Sequence, residues 1–196
     1  MAMPTVQIVP EAKQQSSLQT LSLAFASDPF MRWMFPNAEQ YLTYFPQMVS
    51  RMAGSAFGHG SALSTELYEG AALWLPPGEE PEEEATVNLM VEALSPDRLE
   101  AIGEVLEKME SFHPKDDDCW YLAFIGVDPG HQNKGLGSAL MKHMTAKLDE
   151  GNCLGYLESS NPMNVSLYQR HGFEIVGEIQ AADSPSILPM IRPRQS

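Results

Sequence analysis

The 196-residue sequence lacks several features that define specialised classes of protein. It has two cysteines, Cys119 and Cys153, and they form no Cys-x-x-Cys pair. This argues against a disulfide framework and favours free thiols in a reducing compartment. No cluster of side chains has metal-ligand spacing, so we expect no metal. No segment is apolar enough to span a bilayer, and residues 1–10 lack the regions of a signal peptide. We therefore expect a cytoplasmic protein with no membrane partner.

Positive charge is also scarce. Only 12 lysines and arginines stand against 26 aspartates and glutamates, which gives a formal net charge of −14. A field of that sign repels phosphate backbones, so we expect no nucleic-acid partner. It is compatible with a cationic small molecule, although an acidic surface can serve solubility alone. A monomer and a homodimer both remain open.

The first half of the chain, residues 1–115, is expected to form the acceptor side of one domain that covers residues 1–196. Leu18, Leu21 and Phe25 recur at helical spacing, and Ser95-Pro96 is typical of a helix start. The expected elements are a strand at 6–9, helices from residue 11, at 39–56, at 87–94 and at 96–112, and a hairpin of strands 61–68 and 71–75.

In the second half, residues 116–196, predicted strands alternate with predicted helices. Leu136, Leu140 and Met144 recur every four residues, which indicates a helix. Asn161 and Pro162 are typical of a helix cap followed by the first helical position. The expected strands are 120–127, 154–157, 173–177 and 187–190, and the expected helices are 135–149 and 161–171. This alternation predicts an α/β fold with an at least partly parallel sheet.

One segment between a strand and a helix, residues 127–138, has the character of an anion site. A helix start presents backbone N–H groups without internal partners and the positive end of the helix dipole. Gly135 and Gly137 have no side chain, so a ligand can approach their backbone closely. Lys134 adds positive charge in an acidic chain. Together these features favour a phosphate or pyrophosphate ligand.

Two common phosphate motifs do not fit this segment. A Walker A loop requires Gly-Lys followed by Ser or Thr, whereas Lys134 here precedes Gly135. A dinucleotide-binding fingerprint requires a small residue three positions after Gly137, and Leu140 stands there. A glycine turn that serves packing alone remains the structural alternative.

Two sequence blocks resemble a known family. The segment Gln132-Asn-Lys-Gly-Leu-Gly137 matches the Gln/Arg-x-x-Gly-x-Gly/Ala signature of the GNAT superfamily of N-acetyltransferases. The preceding residues 120–129 and the later residues 156–173 resemble the strand before that loop and the superfamily's second cofactor segment. The chain most resembles the puromycin N-acetyltransferase-like branch, and this resemblance includes the segment Trp74-Leu-Pro-Pro-Gly78. The resemblance implies a central mixed sheet with helices on both faces and a splay between its two central parallel strands.

The resemblance also implies acetyl-CoA as the acetyl donor. It implies that backbone N–H groups of residues 132–138 hold the pyrophosphate, while the pantetheine arm follows the end of the strand before them. An amide of that strand would donate to the thioester oxygen. The implied cofactor-binding residues are Ile125, Gly126, Val127, Gln132, Asn133, Lys134, Gly135, Leu136, Gly137, Ser138 and Asn164.

Tyr168 and Glu158 are the predicted catalytic residues. The resemblance places a general acid at Tyr168, and a neutral phenol can protonate a departing thiolate at neutral pH. It places a glutamate at Glu158, where partial burial would raise the pKa of a general base toward neutrality. A tyrosine that only packs and a glutamate that only bonds backbone amides are the alternatives. His113 and His59 are other candidate bases.

The expected reaction is acetyl transfer to the primary amine of a small molecule, by direct attack in a ternary complex. Aromatic faces grip flat or cationic molecules, so Phe30, Trp33 and Trp74 are predicted to bind the substrate. The same side chains could instead fill a core. An acetyl-CoA-binding sensor of the same fold and a nucleotide-binding protein are the alternative functions.

Overall fold

The computed structural model describes residues 4–116 and 118–195 and contains one seven-stranded sheet. The strand order is β1-β2-β3-β4-β5-β7-β6, and β4–β5 is the parallel pair between antiparallel neighbours. The first half contributes three strands and the second half contributes four. The strands are β1 Val6–Ile8, β2 Ala62–Thr65, β3 Gly70–Leu75, β4 Cys119–Val127, β5 Leu154–Ser159, β6 Glu174–Ile175 and β7 Leu188–Arg192.

Helices cover both faces of the sheet. Helix α1 packs on β3 and β4, and α3 packs on α1 and β4, whereas α7 packs against β1 to β4 from the other face. The expected mixed sheet with helices on both faces is therefore confirmed. The helices are α1 Gln14–Ala24, α2 Pro29–Met34, α3 Ala38–Ala53, α4 Ser55–Gly58, α5 Glu83–Ala93, α6 Pro96–Phe112, α7 Leu136–Gly151 and α8 Val165–Arg170, with 3-10 turns at Glu11–Lys13, Pro129–His131 and Pro162–Asn164.

Strand β4 contains a bulge at Ala123. Leu73 of β3 pairs with Phe124 and Trp74 pairs with Leu122, so Ala123 is the extra residue. A bulge shifts the alternation of side chains between the two faces. As a result, Tyr121 and Phe124 face the α1/α3 side, while Leu122 and Ile125 face α7.

The parallel pairing of β4 and β5 ends where this bulge occurs. Tyr121 pairs with Tyr156 and Leu122 pairs with Leu157, which is the last pair. Strand β4 continues along β3 to Val127, and β5 continues along β7 to Ser159. The predicted splay between the two central parallel strands is thus present.

The structure differs from the predicted elements in three places. The strand expected at 173–177 contains only Glu174–Ile175, and Phe173 is buried in the core on the α7 side of the sheet. The strand expected at 154–157 extends to Ser159, so Glu158 lies within β5. Residues 30–35, for which no element was predicted, lie mostly in α2. No helix among the described residues is long and apolar enough to cross a membrane.

Candidate active site

The loop between β4 and α7 begins with a short capped turn. The Asp128 side chain accepts a hydrogen bond from the Gly130 backbone N–H at 2.8 Å. Its second oxygen lies 3.3 Å from Nδ1 of His131. This turn directs the chain away from the sheet and gives residues 132–135 their exposed position.

The last residues of the loop adopt left-handed backbone conformations. Asn133 has φ of 62° and Gly135 has φ of 80°. A Cβ built on Gly135 would meet no atom within 4 Å, so the space beside this backbone is open. Helix α7 begins immediately afterwards, and its first N–H groups, from Leu136 to Ser138, have no acceptor within the helix. This geometry suits an anion held by backbone groups.

The side chains of the loop mostly contact the loop itself. The Gln132 amide donates to the Val127 carbonyl at 3.4 Å, and the Lys134 ammonium donates to the Gly130 carbonyl at 3.4 Å. The Ser138 hydroxyl lies 2.8 Å from Nε2 of His171. The backbone of these residues, rather than their side chains, is therefore what the loop presents.

Two glycines among the predicted cofactor-binding residues, Gly137 and Gly126, make close packing contacts. A Cβ on Gly137 would lie 3.3 Å from Cδ2 of Leu167, so this glycine lets α8 approach α7. A Cβ on Gly126 would lie 2.5 Å from Cβ of Ala24, so this glycine lets α1 approach β4. Of the three glycines, only Gly135 faces open space.

A cavity of about 80 Å³ that opens to solvent lies at the splay. It brings together five of the predicted site residues, which are Phe30, Ile125, Glu158, Asn164 and Tyr168. Its lining also includes Tyr121 and Ser160, which the sequence analysis missed. Six methionines line it as well: Met31, Met34, Met48, Met52, Met90 and Met109. Their signal in the sequence is only an unusual number of methionines, 12 in all.

Glu158 is a partly buried carboxyl in β5, one residue beyond the last parallel pair. Desolvation by burial raises the pKa of Glu158 to about 7, and the neighbouring hydroxyls of Tyr121 and Tyr156 act in the opposite direction. Among the described residues, the Tyr156 hydroxyl has no partner within normal hydrogen-bond distance. Tyr156 therefore acts on the Glu158 pKa from beyond hydrogen-bond distance. A carboxyl with this pKa can accept a proton near neutral pH.

Tyr168 lies in α8 and is buried, with 5% of its surface exposed. Burial, and to a lesser degree the charge of Asp28, raises the pKa of Tyr168 above its ordinary value. The phenol is therefore protonated at neutral pH. Asn161 begins the preceding turn, and its side chain accepts a hydrogen bond from the Met163 N–H at 3.0 Å. This places Asn164 at the cavity and agrees with the cap role expected for Asn161.

Asp28 is a buried carboxylate that was not among the predicted site residues. One of its oxygens accepts hydrogen bonds from the N–H groups of Phe30 and Met31, both at 3.0 Å. The other accepts from the Ser160 hydroxyl at 2.8 Å. Asp28 thereby fixes α2, which carries Phe30, to the end of β5 beside Glu158. The Asp-Pro dipeptide at a helix start was the available signal.

The three predicted substrate-binding aromatics occupy different places. Phe30 lines the cavity. Trp33 is not in the lining; it stacks on Phe30 with ring centroids 5.4 Å apart, and its N–H donates to Asp183 at 2.9 Å. Trp74 is fully buried in the core on the α7 side of the sheet, so the structure does not bring it to the cavity. Trp74 therefore fills the core, which was the alternative to substrate binding for these aromatic side chains.

Neither alternative histidine lines the cavity. His113 packs edge-on against the rings of Tyr121 and Tyr156, and burial lowers the pKa of His113. His59 lies 3.1 Å from the Glu79 carboxylate. Glu158 is therefore the titratable side chain best placed to act as a base at the splay.

Comparisons with known proteins agree with this geometry. Residues 89–173 match the model of the acetyltransferase (GNAT) family. The chain is similar to an uncharacterized N-acetyltransferase of Schizosaccharomyces pombe, at 25% identity over 177 residues that cover 83% of this chain and 72% of that protein. A solved Corynebacterium glutamicum structure, described as histone acetyltransferase HPA2 and related acetyltransferase, is 26% identical with a TM-score of 0.70, over 100% of this chain and 98% of that one. The fold also resembles that of a Drosophila melanogaster polyamine N-acetyltransferase at 14% identity, with a TM-score of 0.66 over 95% of this chain and 98% of that one.

Proposed function

We propose that this chain, whose residues 89–173 match the acetyltransferase (GNAT) family model, is a GNAT acetyltransferase that moves the acetyl group of acetyl-CoA to the primary amine of a small molecule. We further propose that one domain, residues 1–196, performs the reaction by direct attack in a ternary complex. The observation that carries the proposal is the joint lining of one cavity at the splay by Glu158 and Tyr168. This cavity adjoins the strand that leads into the glycine loop.

The open backbone at the start of α7 fits the pyrophosphate of acetyl-CoA. Residues 132–138 would supply N–H groups, and the absence of any atom within 4 Å of a Cβ on Gly135 leaves room for the phosphates. Residues 125–127 and Asn164 would contact the arm of the cofactor. When bound, acetyl-CoA supplies an activated acetyl thioester. A backbone N–H of Gly126 or Val127 would donate to its oxygen, which is worth a few kcal/mol.

Glu158 would act as the general base. A primary ammonium has a pKa near 10.4, so at pH 7 most of the acceptor is protonated and cannot attack. A carboxylate whose pKa is about 7 can bind that ammonium and then take its proton.

Tyr168 would act as the general acid. Its hydroxyl is protonated at neutral pH because burial raises the pKa of the phenol. It would donate this proton to sulfur as the carbon–sulfur bond breaks, so that coenzyme A leaves as the neutral thiol, whose ordinary pKa is near 8.5.

Thermal unfolding with acetyl-CoA, and with ATP and NAD as controls, tests the cofactor. At about 100 times the dissociation constant, binding should add about 2.7 kcal/mol. This corresponds to a rise in Tm of roughly 5 to 10 °C for a domain of this size. A rise with acetyl-CoA alone supports the proposal, and release of free thiol in the presence of amines would then measure transfer. No rise, or an equal rise with ATP or NAD, would overturn it.

The variant Gly135→Val tests the loop. We expect weaker acetyl-CoA binding, because the new side chain would enter the open space at the start of α7. The matched control is Gly78→Val. Gly78 also has φ of 80° and no atom within 4 Å of a built Cβ, so both variants carry similar backbone strain, about 1–3 kcal/mol. Unchanged acetyl-CoA affinity in folded Gly135→Val, or an equal loss in Gly78→Val, would contradict the loop assignment.

A further inference from the structure

The acceptor side of the cavity is built largely from methionine. Half of the 12 methionines in the chain line it, and they come from four helices, α2, α3, α5 and α6. Methionine is apolar, flexible and polarisable, and it adapts to irregular apolar shapes. Phe25, Phe30 and Phe124 extend the same apolar wall. The wall is therefore suited to the hydrocarbon part of a ligand.

Glu158 is the only charged side chain in this lining. No lysine, arginine or histidine and no second carboxylate lines the cavity among residues 4–116 and 118–195. The few polar groups, Tyr121, Ser160, Asn164 and Tyr168, are uncharged. The lining itself thus supplies one charged partner for a cationic group, Glu158. The neighbouring Asp28 carboxylate lies outside the lining and is already bonded to the Ser160 hydroxyl and to the N–H groups of α2.

The charge of an amine should consequently decide whether it is acetylated. A carboxylate on the acceptor would enter the cavity without a cation to pair with it. A second ammonium would be buried among methionine side chains without an anion. Burying an unpaired charge is strongly unfavourable, whereas burying methylene groups is favourable.

We propose that the acceptor is an apolar monoamine, with one primary ammonium for Glu158 and an alkyl or arylalkyl body for the methionine wall. The proposal rests on the proposed function and narrows it. It excludes free amino acids and polyamines as good acceptors.

Three acceptors with the same number of carbon atoms test this directly: hexylamine, 6-aminohexanoate and 1,6-diaminohexane. 2-Phenylethylamine is added to the set as an aromatic monoamine. For each amine, kcat/KM is measured by thiol release at saturating acetyl-CoA. We expect hexylamine or 2-phenylethylamine to exceed both doubly charged compounds by about 100-fold or more. 6-Amino-1-hexanol adds polarity without charge, so its kcat/KM should fall much less below that of hexylamine.

The outcomes separate this proposal from the proposed function. Efficient acetylation of 1,6-diaminohexane or 6-aminohexanoate would overturn the apolar-monoamine proposal and leave acetyl transfer intact. Acetyl-CoA binding without acetylation of either apolar monoamine would also overturn it. The absence of both acetyl-CoA binding and transfer would overturn the proposed function, and the acceptor proposal with it.

A charge placed at the cavity mouth gives an independent test. Met52 is only partly buried, so a polar replacement there can remain near solvent. In Met52→Glu, the ratio of kcat/KM for 1,6-diaminohexane over hexylamine should rise by about tenfold, because a second anion can pair with the distal ammonium. Met52→Gln, with the same shape and no charge, should leave that ratio near the parent value. An unchanged ratio in a folded, active Met52→Glu would count against the proposal.

Discussion

Glu158 is an ionisable side chain in a largely apolar environment. It lies in a strand, where pairing with β7 fixes its backbone, and its carboxyl faces an apolar cavity. Desolvation raises the pKa of Glu158 to about 7, and two tyrosine hydroxyls counter that rise without cancelling it. A side chain that served packing alone would gain nothing from this environment.

The pH dependence of catalysis should report this pKa. If ionised Glu158 takes the proton of a bound ammonium, kcat/KM should rise with pH through about 7 and level off by about pH 8.5. In Glu158→Gln the acceptor must arrive as the free base. The reduced rate should then climb about tenfold per pH unit toward the pKa of the amine, near 10.4. Parallel profiles for the parent and Glu158→Gln would remove Glu158 as the base.

The stability of the folded protein should also depend on pH through the pKa of Glu158. The pKa of Glu158 is raised from 4.5 to about 7 in the folded state. The contribution of the protonated side chain to folding stability is therefore fully present below pH 4.5 and is lost as pH rises through 7. Above pH 7 the ionised carboxylate costs on the order of 3 kcal/mol. We expect Glu158→Gln to raise Tm by a few degrees at pH 8 and by much less at pH 5. An equal Tm change at both pH values would contradict the raised pKa.

Tyr168 gives a complementary prediction about turnover. Tyr168→Phe removes the proposed proton donor and keeps the ring in its buried position. We expect kcat to fall by about 100-fold or more, while the affinity for acetyl-CoA, from the same Tm titration, changes little. Equal kcat values at saturating substrates would exclude Tyr168 from the mechanism.

At the level of elements, the parts of the fold with strong local signals were predicted well. The cap at Asn161, the four-residue spacing in α7 and the glycine before it placed α7, α8 and the loop within a few residues. Three features depend on partners distant in sequence and were missed. These are the bulge at Ala123, which is defined by its pairing with β3, the assembly of the methionine wall from four helices, and the anchoring of α2 through Asp28 to Ser160.

Trp74 and Gly126 show the same limit for individual residues. The sequence identifies Trp74 as a large aromatic side chain, but only the direction of β3 shows that it points into the core on the α7 side. Gly126 was assigned by resemblance to the cofactor strand, and the packing of α1 gives it a second, structural role.

The α1–β4 contact can be tested with glycine variants. Gly126→Ala should destabilise the protein by about 1–3 kcal/mol, because its Cβ would lie 2.5 Å from Cβ of Ala24. The control is Gly103→Ala in α6, where no atom lies within 4 Å of a built Cβ. There we expect a gain of about 0.5–1 kcal/mol from helix propensity. Denaturant unfolding measures both. Adding Ala24→Gly to Gly126→Ala should recover part of the loss, and an additive double variant would contradict the proposed clash.

The whole molecule is linked across its two halves. Strands β1 to β3 come from the first half, and β3 pairs with β4 of the second half, so that the sheet is continuous across the two halves. The Ser160–Asp28 hydrogen bond connects the end of β5 to the start of α2. The methionine wall and the loop at residues 127–138 are thus linked through the sheet, and the net charge of −14 would act on both proposed substrates as they approach.

Ionic strength should affect the two proposed substrates in opposite ways. A protein of charge −14 repels acetyl-CoA, which carries several phosphate charges, and attracts a cationic amine. The Debye length falls from about 30 Å at 0.01 M salt to about 8 Å at 0.15 M, so salt screens the long-range field more than contacts within the loop. Raising sodium chloride over this range should therefore increase kcat/KM for acetyl-CoA and decrease it for the amine, by about two- to tenfold each. Sucrose of equal osmolality serves as the control and should leave both values nearly unchanged. If kcat/KM for acetyl-CoA instead falls with salt, the local positive charge of Lys134 and the α7 start outweighs the charge of the whole chain.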